Sequence, residues 1–328
     1  MARSDVVVVT GASAGIGRAA AIEFGRRGCR VALLARGIEG LEGARHEVVH
    51  AGGSALVIPA DVSDPEQVES AAQRVEGELG QIKIWVNSAM VTVFSAIDDL
   101  TPEEIRRVTE VTYLGTVHGT LSALRRMKRH GRGTIVQVGS ALSYRSIPLQ
   151  SAYCGAKFAI RGFTDSLRSE LIHDHSPVHI TMVQLAAFNT PQFQWSRTHI
   201  DRHPQPLPPI FQPELAARGI VFAAYHQRRE LWVGGPTLKT IIGSRLLSGY
   251  LDRYLADKAY SGQMTDWPLD EERPDNLFHP ARGDFGRYGP FDESAKERSL
   301  QFWMVTHRST TWTLAFVVAL IVVTVLLL

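Results

Sequence analysis

The stretch VVVVTGASAGIGRAAA, residues 6–21, decides the fold of this 328-residue chain. The valine run predicts a buried strand, and the alanine-rich end predicts a helix. Gly11, Gly15 and Gly17 fall at the turn between them. Glycine lets the backbone approach a phosphate closely, and the amino end of a helix carries partial positive charge. An ordinary strand-to-helix turn is the alternative, but it does not require three glycines at this spacing. The stretch therefore predicts a dinucleotide-binding turn.

Seven short β-branched or apolar runs follow one another along the chain, and helix-length segments separate them. The runs are VVVV (6–9), VALLA (31–35), ALVIPA (55–60), IKIWVN (82–87), GTIVQVGS (133–140), VHITMVQL (178–185) and LWVGG (231–235). Runs that are apolar on both faces and alternate with helices are typical of a parallel sheet covered on both sides. The sequence therefore predicts an α/β fold, a doubly wound, Rossmann-like sheet of about seven strands.

Charge and cysteine content argue against several classes of protein. The chain has 35 Lys and Arg against 33 Asp and Glu, and the basic residues form no block that would follow a phosphate backbone. We therefore expect no nucleic-acid partner. Two cysteines, Cys29 and Cys154, and no glycosylation acceptor indicate a reducing environment. The apolar run near the N-terminus is too short for a signal peptide.

Five motifs occur in an order and at separations that are typical of one enzyme family. They are TGASAGIG (10–17), DV (61–62), VNSA (86–89), Ser140 and YCGAK (153–157). With these motifs the chain resembles a short-chain dehydrogenase/reductase over roughly residues 5–235. The resemblance implies an oxidoreductase that interconverts an alcohol and a carbonyl compound with a nicotinamide coenzyme.

Tyr153 and Lys157 lie four residues apart in a predicted helix, so both side chains project from one face. A neighbouring ammonium stabilises a phenolate, and we expect Lys157 to lower the pKa of Tyr153 so that it acts as general acid or base. A surface pair is the alternative. The resemblance implies that Ser140 hydrogen-bonds the substrate oxygen and that Lys157 also holds the nicotinamide ribose. It places Thr112 where the family usually has an asparagine that supports a proton relay through its main-chain carbonyl.

The end of the second predicted strand indicates which coenzyme binds. An enzyme that prefers NAD carries an acid there to bind the ribose hydroxyls, but this chain has Ala35 followed by Arg36. An arginine pairs with a 2′-phosphate, so we predict NADP(H). A solvated arginine is the alternative. Together the glycine turn, Arg36 and the family motifs give these coenzyme-binding residues: Thr10, Gly11, Ser13, Gly15, Ile16, Gly17, Arg36, Asp61, Val62, Asn87, Tyr153, Lys157, Phe188 and Thr190.

The chain departs from the family pattern at Thr112, Ser88 and Met90, and Leu185-Ala186 replaces the usual Pro-Gly. An alternative function is therefore a coenzyme-binding scaffold or sensor that has lost turnover. We favour the enzyme because the three central catalytic groups are all present.

The segment 188–213 stands where the family places its substrate lid. Its apolar side chains are Phe193, Trp195, Leu207, Ile210 and Phe211, and after Ser140 come Leu142, Tyr144, Ile147 and Leu149. We expect these side chains to cover a small lipophilic substrate, of lipid, steroid or retinoid type. The alternative is that they pack in the core of the domain.

A short metal motif, HEVVH (46–50), fits a zinc site on a helix. The third histidine of the longer pattern is absent, because residue 56 is leucine, and the stretch lies on the second crossover helix. We therefore predict no metal.

The run TWTLAFVVALIVVTVLLL (311–328) contains no charge. As a helix it would extend for about 28 Å, close to the thickness of a hydrocarbon core. With Trp303 and Trp312 near its start and basic residues upstream, it predicts a single C-terminal membrane anchor with the catalytic domain facing the cytoplasm. A buried core helix or an added strand is the alternative.

The sequence therefore divides into three predicted parts. They are an oxidoreductase domain (1–262), an extended arm or linker (263–305) and the membrane anchor (306–328). The resemblance also implies a homodimer or homotetramer, assembled through helices around residues 101–130 and 151–173.

Overall fold

Seven parallel strands form the centre of the computed structural model, which describes residues 4–270, 272–311, 313 and 316. The strands in chain order are β1 (Val6–Thr10), β2 (Arg30–Ala35), β3 (Ser54–Pro59), β4 (Ile82–Asn87), β5 (Val93–Phe94), β6 (Gly133–Val138), β7 (Val178–Leu185), β8 (Ala187–Phe188), β9 (Arg197–Thr198), β10 (Arg202–Pro204), β11 (Ile210–Phe211), β12 (Glu230–Val233), β13 (Met264–Pro268) and β14 (Ala295–Lys296). The main sheet has the order β3-β2-β1-β4-β6-β7-β12, and its pairings are all parallel. The predicted doubly wound sheet is confirmed.

Helices cover both faces of this sheet. In chain order the helices of the described residues are α1 (Gly15–Gly25), α2 (Ile38–His50), α3 (Pro65–Glu78), α4 (Pro102–Val108), α5 (Gly115–Arg129), α6 (Ser151–His173), α7 (Gln192–Trp195), α8 (Pro213–Tyr225), α9 (Gly235–Leu246), α10 (Ser248–Ser261) and α11 (Leu300–Thr306). A π-helical turn, Thr109–Leu114, joins α4 to α5. Side chains of α1, α2 and α8 pack on one face, and those of α3, α5 and α6 pack on the other.

Local sequence explains where several helices begin. The Asp64 carboxylate accepts a hydrogen bond from the amide of Glu66 at 2.8 Å, and Pro65 occupies the first position of α3. Thr101 and Glu104 form a capping box at the start of α4. These caps set the helices against strands that are buried on both faces, such as β1, in which all five residues are buried.

The segment after α10 is attached to the domain along much of its length. β13 pairs with β10 in antiparallel orientation, and β14 pairs with β11. Leu277 and Phe291 are buried, and Phe302 of α11 joins the core on the α8 side of the sheet. The part predicted as an arm or linker, 263–305, therefore folds against the sheet domain, because it carries its own buried apolar side chains.

No helix within the described part of the chain is long and apolar enough to cross a membrane. The predicted anchor, 306–328, falls largely outside the described residues.

Candidate active site

A single cleft runs along the carboxyl edge of the sheet, where the turns that follow β1, β2, β3, β4, β6 and β7 meet. Ligands of open α/β sheets bind at this edge. The predicted site residues that line the cleft are Gly11, Ser13, Gly15, Ile16, Gly17, Arg36, Asp61, Val62, Ser140, Tyr153, Lys157, Phe188 and Thr190. The fold thus brings most of the predicted site together.

The glycine-rich turn has the geometry that a dinucleotide needs. Gly11 and Gly15 have φ of +69° and +54°, a region that favours glycine. A Cβ on Gly11 would lie 2.7 Å from Ala89 Cα, and one on Gly17 would overlap the Gly11 carbonyl oxygen. Ala14, before α1, has no side-chain acceptor to cap the helix. The Gly15 amide donates to the Gly286 carbonyl at 3.1 Å, and the amides that follow it at the amino end of α1 are placed for an anion. The residues present therefore fit a pyrophosphate.

Two residues predicted to bind the coenzyme make hydrogen bonds within the protein. The Thr10 hydroxyl accepts hydrogen bonds from the amides of Ser88 and Ala89, at 3.0 and 3.2 Å, and so ties the end of β1 to the turn after β4. Asn87 is buried, and its amide group accepts from Trp85 Nε1 and donates to Thr120 and Gln137. Neither residue is among the described residues that line the cleft.

Asp61 forms an ion pair with Arg107, a partner that was not predicted from the sequence. Its carboxylate accepts from the amide of Ser63 at 3.0 Å and forms an ion pair with Arg107. Burial raises the pKa of Asp61, but the hydrogen bonds from Arg107 and Ser63 outweigh burial and lower it. Asp61 is therefore ionised, with its side chain fixed at the wall of the cleft.

The predicted catalytic groups lie together on one wall. Ser140 directly follows the turn after β6, is 8% exposed, and its Oγ accepts a hydrogen bond from the amide of Leu142 at 3.1 Å. Tyr153 and Lys157 lie on α6, and Ser140 hydrogen-bonds the Tyr153 phenol. Lys157 Nζ lies 5.4 Å from the centroid of the Tyr153 ring and donates to the Val138 carbonyl at 2.7 Å.

Burial dominates the electrostatics of this wall. It raises the pKa of Tyr153, although the hydrogen bond from Ser140 opposes this, and it lowers the pKa of Lys157 to about 8. The expectation that Lys157 lowers the pKa of Tyr153 is therefore wrong for the protein alone. The physical reason is that both groups lose water, and loss of water disfavours the charged form of each.

Thr112 lies behind the cleft. It is fully buried, and its hydroxyl both donates to the carbonyl and accepts from the amide of Val91, at 3.1 Å each. The Thr112 carbonyl accepts from the hydroxyl of Thr116 at 2.9 Å. Among the described residues of this π-helical turn, Val111 lines the cleft. A direct catalytic role for the Thr112 side chain therefore has no support in its position.

The far end of the cleft is mostly apolar. Phe193, Trp195, Leu207, Leu142 and Ile147 line it, as expected. The remaining residues of the predicted cover have other positions. Ile210 and Phe211 form β11, Leu149 is buried, and the Tyr144 hydroxyl donates to Glu230.

Sequence reasoning missed the contribution of the segment after β13. Asn276, Pro280, Ala281, Gly283 and Phe285 line the cleft together with the glycine-rich turn. The stretch FHPARGDFGRYGP (278–290) has neither helical nor strand periodicity, so no pattern in it could have placed it there. Arg145 and Leu255 also line the cleft and were not predicted.

The described residues contain no group of three or more His, Cys, Asp or Glu that is arranged to hold a metal ion. His46, from the short zinc motif, has its Nε2 at 3.1 Å from the Arg45 guanidinium.

A family model described as short chain dehydrogenase matches residues 5–201 of the chain. The protein belongs to the short-chain dehydrogenase family. The resemblance inferred from the sequence is thus confirmed, and the segment that lines the cleft after β13 lies outside the part that this family model matches.

Relatives and solved structures agree with this assignment. The chain is 30% identical over 283 residues to the uncharacterized oxidoreductase YxnA of Bacillus subtilis (strain 168). The aligned region covers 86% of this chain and 80% of that protein. It is 38% identical over 173 residues to the human dehydrogenase/reductase SDR family member 7, about half of each chain (51% and 51%).

Two solved structures have a similar fold. One is an alcohol dehydrogenase from the archaeon Thermococcus sibiricus complexed with 5-hydroxy-NADP, with 27% identity and a TM-score of 0.60 over 70% of this chain and 95% of that one. The other is a metagenomic short-chain oxidoreductase in complex with NADP, with 25% identity and a TM-score of 0.59 over 70% and 96% of the two chains.

Proposed function

We propose that this protein is an NADP(H)-dependent oxidoreductase that interconverts a secondary alcohol and a ketone, or an aldehyde and its alcohol, on an apolar substrate. The observation that carries the proposal is the position of Ser140, Tyr153 and Lys157 on one wall of the cleft that also contains the glycine-rich turn. Membership of the short-chain dehydrogenase family supports the reaction class.

The side chains of the wall handle the proton and the developing charge on the substrate oxygen. The bound coenzyme gives or takes the hydride. In reduction, Tyr153 donates its phenolic proton to the substrate oxygen, and in oxidation the phenolate accepts it. The Ser140 hydroxyl, already within reach of the phenol, hydrogen-bonds the same oxygen as charge develops there. Because burial raises the pKa of Tyr153, the phenol is protonated near neutral pH and carries the proton that reduction requires.

Arg36 supports the choice of NADP(H). Arg36 follows β2 and lines the cleft. In this fold class the adenosine ribose, which carries the 2′-phosphate of NADP, binds next to the end of this strand. Three hydrogen bonds hold the Arg36 guanidinium in place, and an arginine has five N–H donors, so two remain for a phosphate. The NADP ligands of two structurally similar proteins agree with this choice.

The apolar end of the cleft supports a lipophilic substrate. Phe193, Trp195 and Leu207 come from the segment that follows β8, and Leu142 and Ile147 come from the turn after Ser140. A screen of NADPH oxidation against steroid, retinoid, fatty and aromatic carbonyl compounds would identify the class. Turnover confined to small polar carbonyls would contradict the assignment of an apolar substrate.

Replacement of Tyr153 tests the mechanism. Tyr153→Phe should reduce kcat by about 100- to 10,000-fold, because the proton donor is removed while the ring and its packing are kept. Tyr144→Phe is the matched control, since its hydroxyl donates to Glu230, and it should keep near-normal turnover. Coenzyme binding, followed by NADPH fluorescence, should survive both changes. Turnover that persists in Tyr153→Phe would contradict the mechanism.

The alternative of a coenzyme-binding scaffold without turnover is favoured by one observation. The Thr112 carbonyl, which the family resemblance assigns to a proton relay, already accepts a hydrogen bond from Thr116. If the scaffold is correct, the wild-type protein will bind NADPH in the fluorescence assay yet oxidise it with none of the screened carbonyl compounds.

We also propose that the uncharged run 311–328 anchors the protein to a membrane, on the basis of its sequence alone. Extraction of the full-length protein from membranes by alkaline carbonate would contradict the anchor.

A further inference from the structure

The segment 276–288 lies along the cleft beside the glycine-rich turn and the turn after β2. Asn276, Pro280, Ala281, Gly283 and Phe285 line the same continuous cleft as the coenzyme-binding turns. This segment, called the strap below, also contacts the turns after β1 and β2 directly, since Gly15 and Arg36 donate hydrogen bonds to its carbonyls. The strap covers the cleft and does not fill it.

The first attachment of the strap is at Arg36. The guanidinium donates to the carbonyls of Asn276, Leu277 and Phe278, the last two at 3.2 and 3.1 Å. Arg107 donates to the Leu277 carbonyl at 3.1 Å, and the Leu277 side chain is fully buried in the core beside the sheet. One end of the strap is thus firmly fixed to the residue that we assign to the 2′-phosphate.

The second attachment is an ion pair at the amino end of α1. Asp284 pairs with Arg18, which is only 4% exposed and also pairs with Glu47 at 2.8 Å. The amide of Gly15, in the glycine-rich turn itself, donates to the Gly286 carbonyl at 3.1 Å. Arg287 adds ion pairs with Glu214 at 3.0 Å and with Glu47 at 3.6 Å at this end of the strap. Asp284, whose side chain is 40% exposed, is the strap carboxylate that pairs with the buried Arg18.

The strap limits how a dinucleotide can reach the cleft. Its attachments at Arg36 and at Gly15 lie at the places where the sheet edge would receive the adenosine ribose and the pyrophosphate. A dinucleotide that occupies these two places would therefore enter or leave only when the strap opens.

We propose that the strap is part of the coenzyme site, that it closes over the adenosine half of the bound dinucleotide, and that the Arg18–Asp284 ion pair is the latch that limits coenzyme release. From the proposed function it requires one point, that a nicotinamide dinucleotide binds in the cleft. It assigns binding residues in a part of the chain that lies outside the match to the short-chain dehydrogenase family.

The first test weakens the latch. Asp284→Asn should speed release of NADPH from the full chain by about ten- to a hundred-fold, because one charge-assisted pair is lost. Release is measured by the decay of bound NADPH fluorescence after excess NADP is mixed in. Glu293→Gln, at an exposed carboxylate beyond the end of the strap, is the control and should leave release unchanged.

The second test locks the strap in place. A Cβ built on Gly37 lies 3.5 Å from Pro280 Cβ, a separation suitable for a disulfide, and Gly37 has φ of −87°, which any residue adopts. The double variant Gly37→Cys and Pro280→Cys, oxidised with NADPH bound, should release it at least tenfold more slowly than its reduced form. Each single cysteine variant is a control, and the native Cys29 and Cys154 are buried.

The results of these two tests distinguish failure of the strap proposal from failure of the proposed enzymatic function. Equal release rates in the oxidised and reduced double variant, or unchanged release in Asp284→Asn, would overturn the strap. Tighter NADPH binding in Asp284→Asn would also overturn it, since the segment would then compete with the coenzyme. Neither test needs turnover, so both can be run in the Tyr153→Phe background. A wild-type protein that binds no NADPH would overturn the coenzyme assignment and the strap together.

Discussion

At the scale of single residues, burial opposes charge on the catalytic wall. Lys157 is 4% exposed, and burial lowers its pKa to about 8, while burial raises the pKa of Tyr153 beside it. The carboxylate of Asp61, also in the cleft, stays charged, because the ion pair with Arg107 lowers its pKa in spite of burial. The Lys157 ammonium donates instead to the carbonyl of Val138, and a neutral carbonyl only partly replaces the water that the ammonium loses on burial.

The lowered pKa of Lys157 makes the stability of the protein depend on pH. The unfolded chain keeps this lysine protonated up to a pKa of about 10.5, whereas the folded state releases the proton near pH 8, so between these values the unfolded state binds more protons. The free energy of unfolding of the wild type should therefore rise with pH from about 8 to 10.5, by at most about 3 kcal/mol, relative to Lys157→Met. Urea unfolding at pH 7.5 and pH 10 measures it. Parallel profiles for the two proteins would show that Lys157 is not desolvated.

At the scale of secondary structure, a buried polar network joins the middle of the sheet to the helix that covers it. Asn87 at the end of β4 accepts from Trp85 Nε1 at 2.8 Å and donates to Gln137 of β6 at 2.9 Å. It also donates to Thr120 of α5 at 3.1 Å. This network fixes β4, β6 and α5 relative to one another, and the turns after β4 and β6 both contribute to the cleft wall.

Replacement of Asn87 distinguishes this structural role from the coenzyme contact predicted from the sequence. Asn87→Ala should lower the free energy of unfolding by about 1 to 3 kcal/mol, because Trp85 Nε1 loses its acceptor in a buried site. The dissociation constant for NADPH should change less than threefold. Denaturant titration and fluorescence titration measure the two effects. Ser88→Ala, at the adjacent residue that lines the cleft, is the control and should leave stability near the wild-type value. Weaker coenzyme binding with unchanged stability would instead support a coenzyme contact.

The elements that the sequence predicted well are those whose own residues determine them. The seven main strands were placed within a few residues, since each is a β-branched run that is apolar on both faces, as in Val6–Thr10 and Val178–Leu185. The glycine-rich turn was placed because Gly11 and Gly17 meet neighbouring backbone too closely to carry a side chain.

The rest depends on contacts between distant parts of the chain, which leave no local pattern. Asn87 is a family motif residue, and the sequence does not show that its amide group faces Thr120 and Gln137 instead of the cleft. The strap has no periodicity, and its position depends on Arg18 and Arg36, some 240 to 270 residues away in the chain. The direction of the Tyr153 pKa shift depends on burial, which spacing in a helix does not report.

At the scale of the whole molecule, the folded unit extends beyond the sheet. Phe302 of α11 is 8% exposed and belongs to the core on the α8 side, where its ring lies close to Gly219. Gln301 donates to the carbonyl of Trp232, in the edge strand β12, at 3.0 Å. The short helix therefore closes the edge of the core next to β12, and the segment from β13 to α11 is held to the domain at its far end.

This attachment predicts that stability depends on α11. Phe302→Ala should lower the free energy of unfolding by about 3 kcal/mol or more, because it leaves a cavity in the core beside α8. Trp303→Ala is the matched control: its side chain is 40% exposed and stacks on His307, so its loss should cost less than about 1 kcal/mol. Both are measured by denaturant unfolding of a chain that ends at Thr311. Equal, small effects would mean that α11 is not part of the folded core and that the strap and the pairing of β14 with β11 hold the segment after β13. A large effect of Phe302 together with faster NADPH release would mean that α11 also holds the strap closed from its far end.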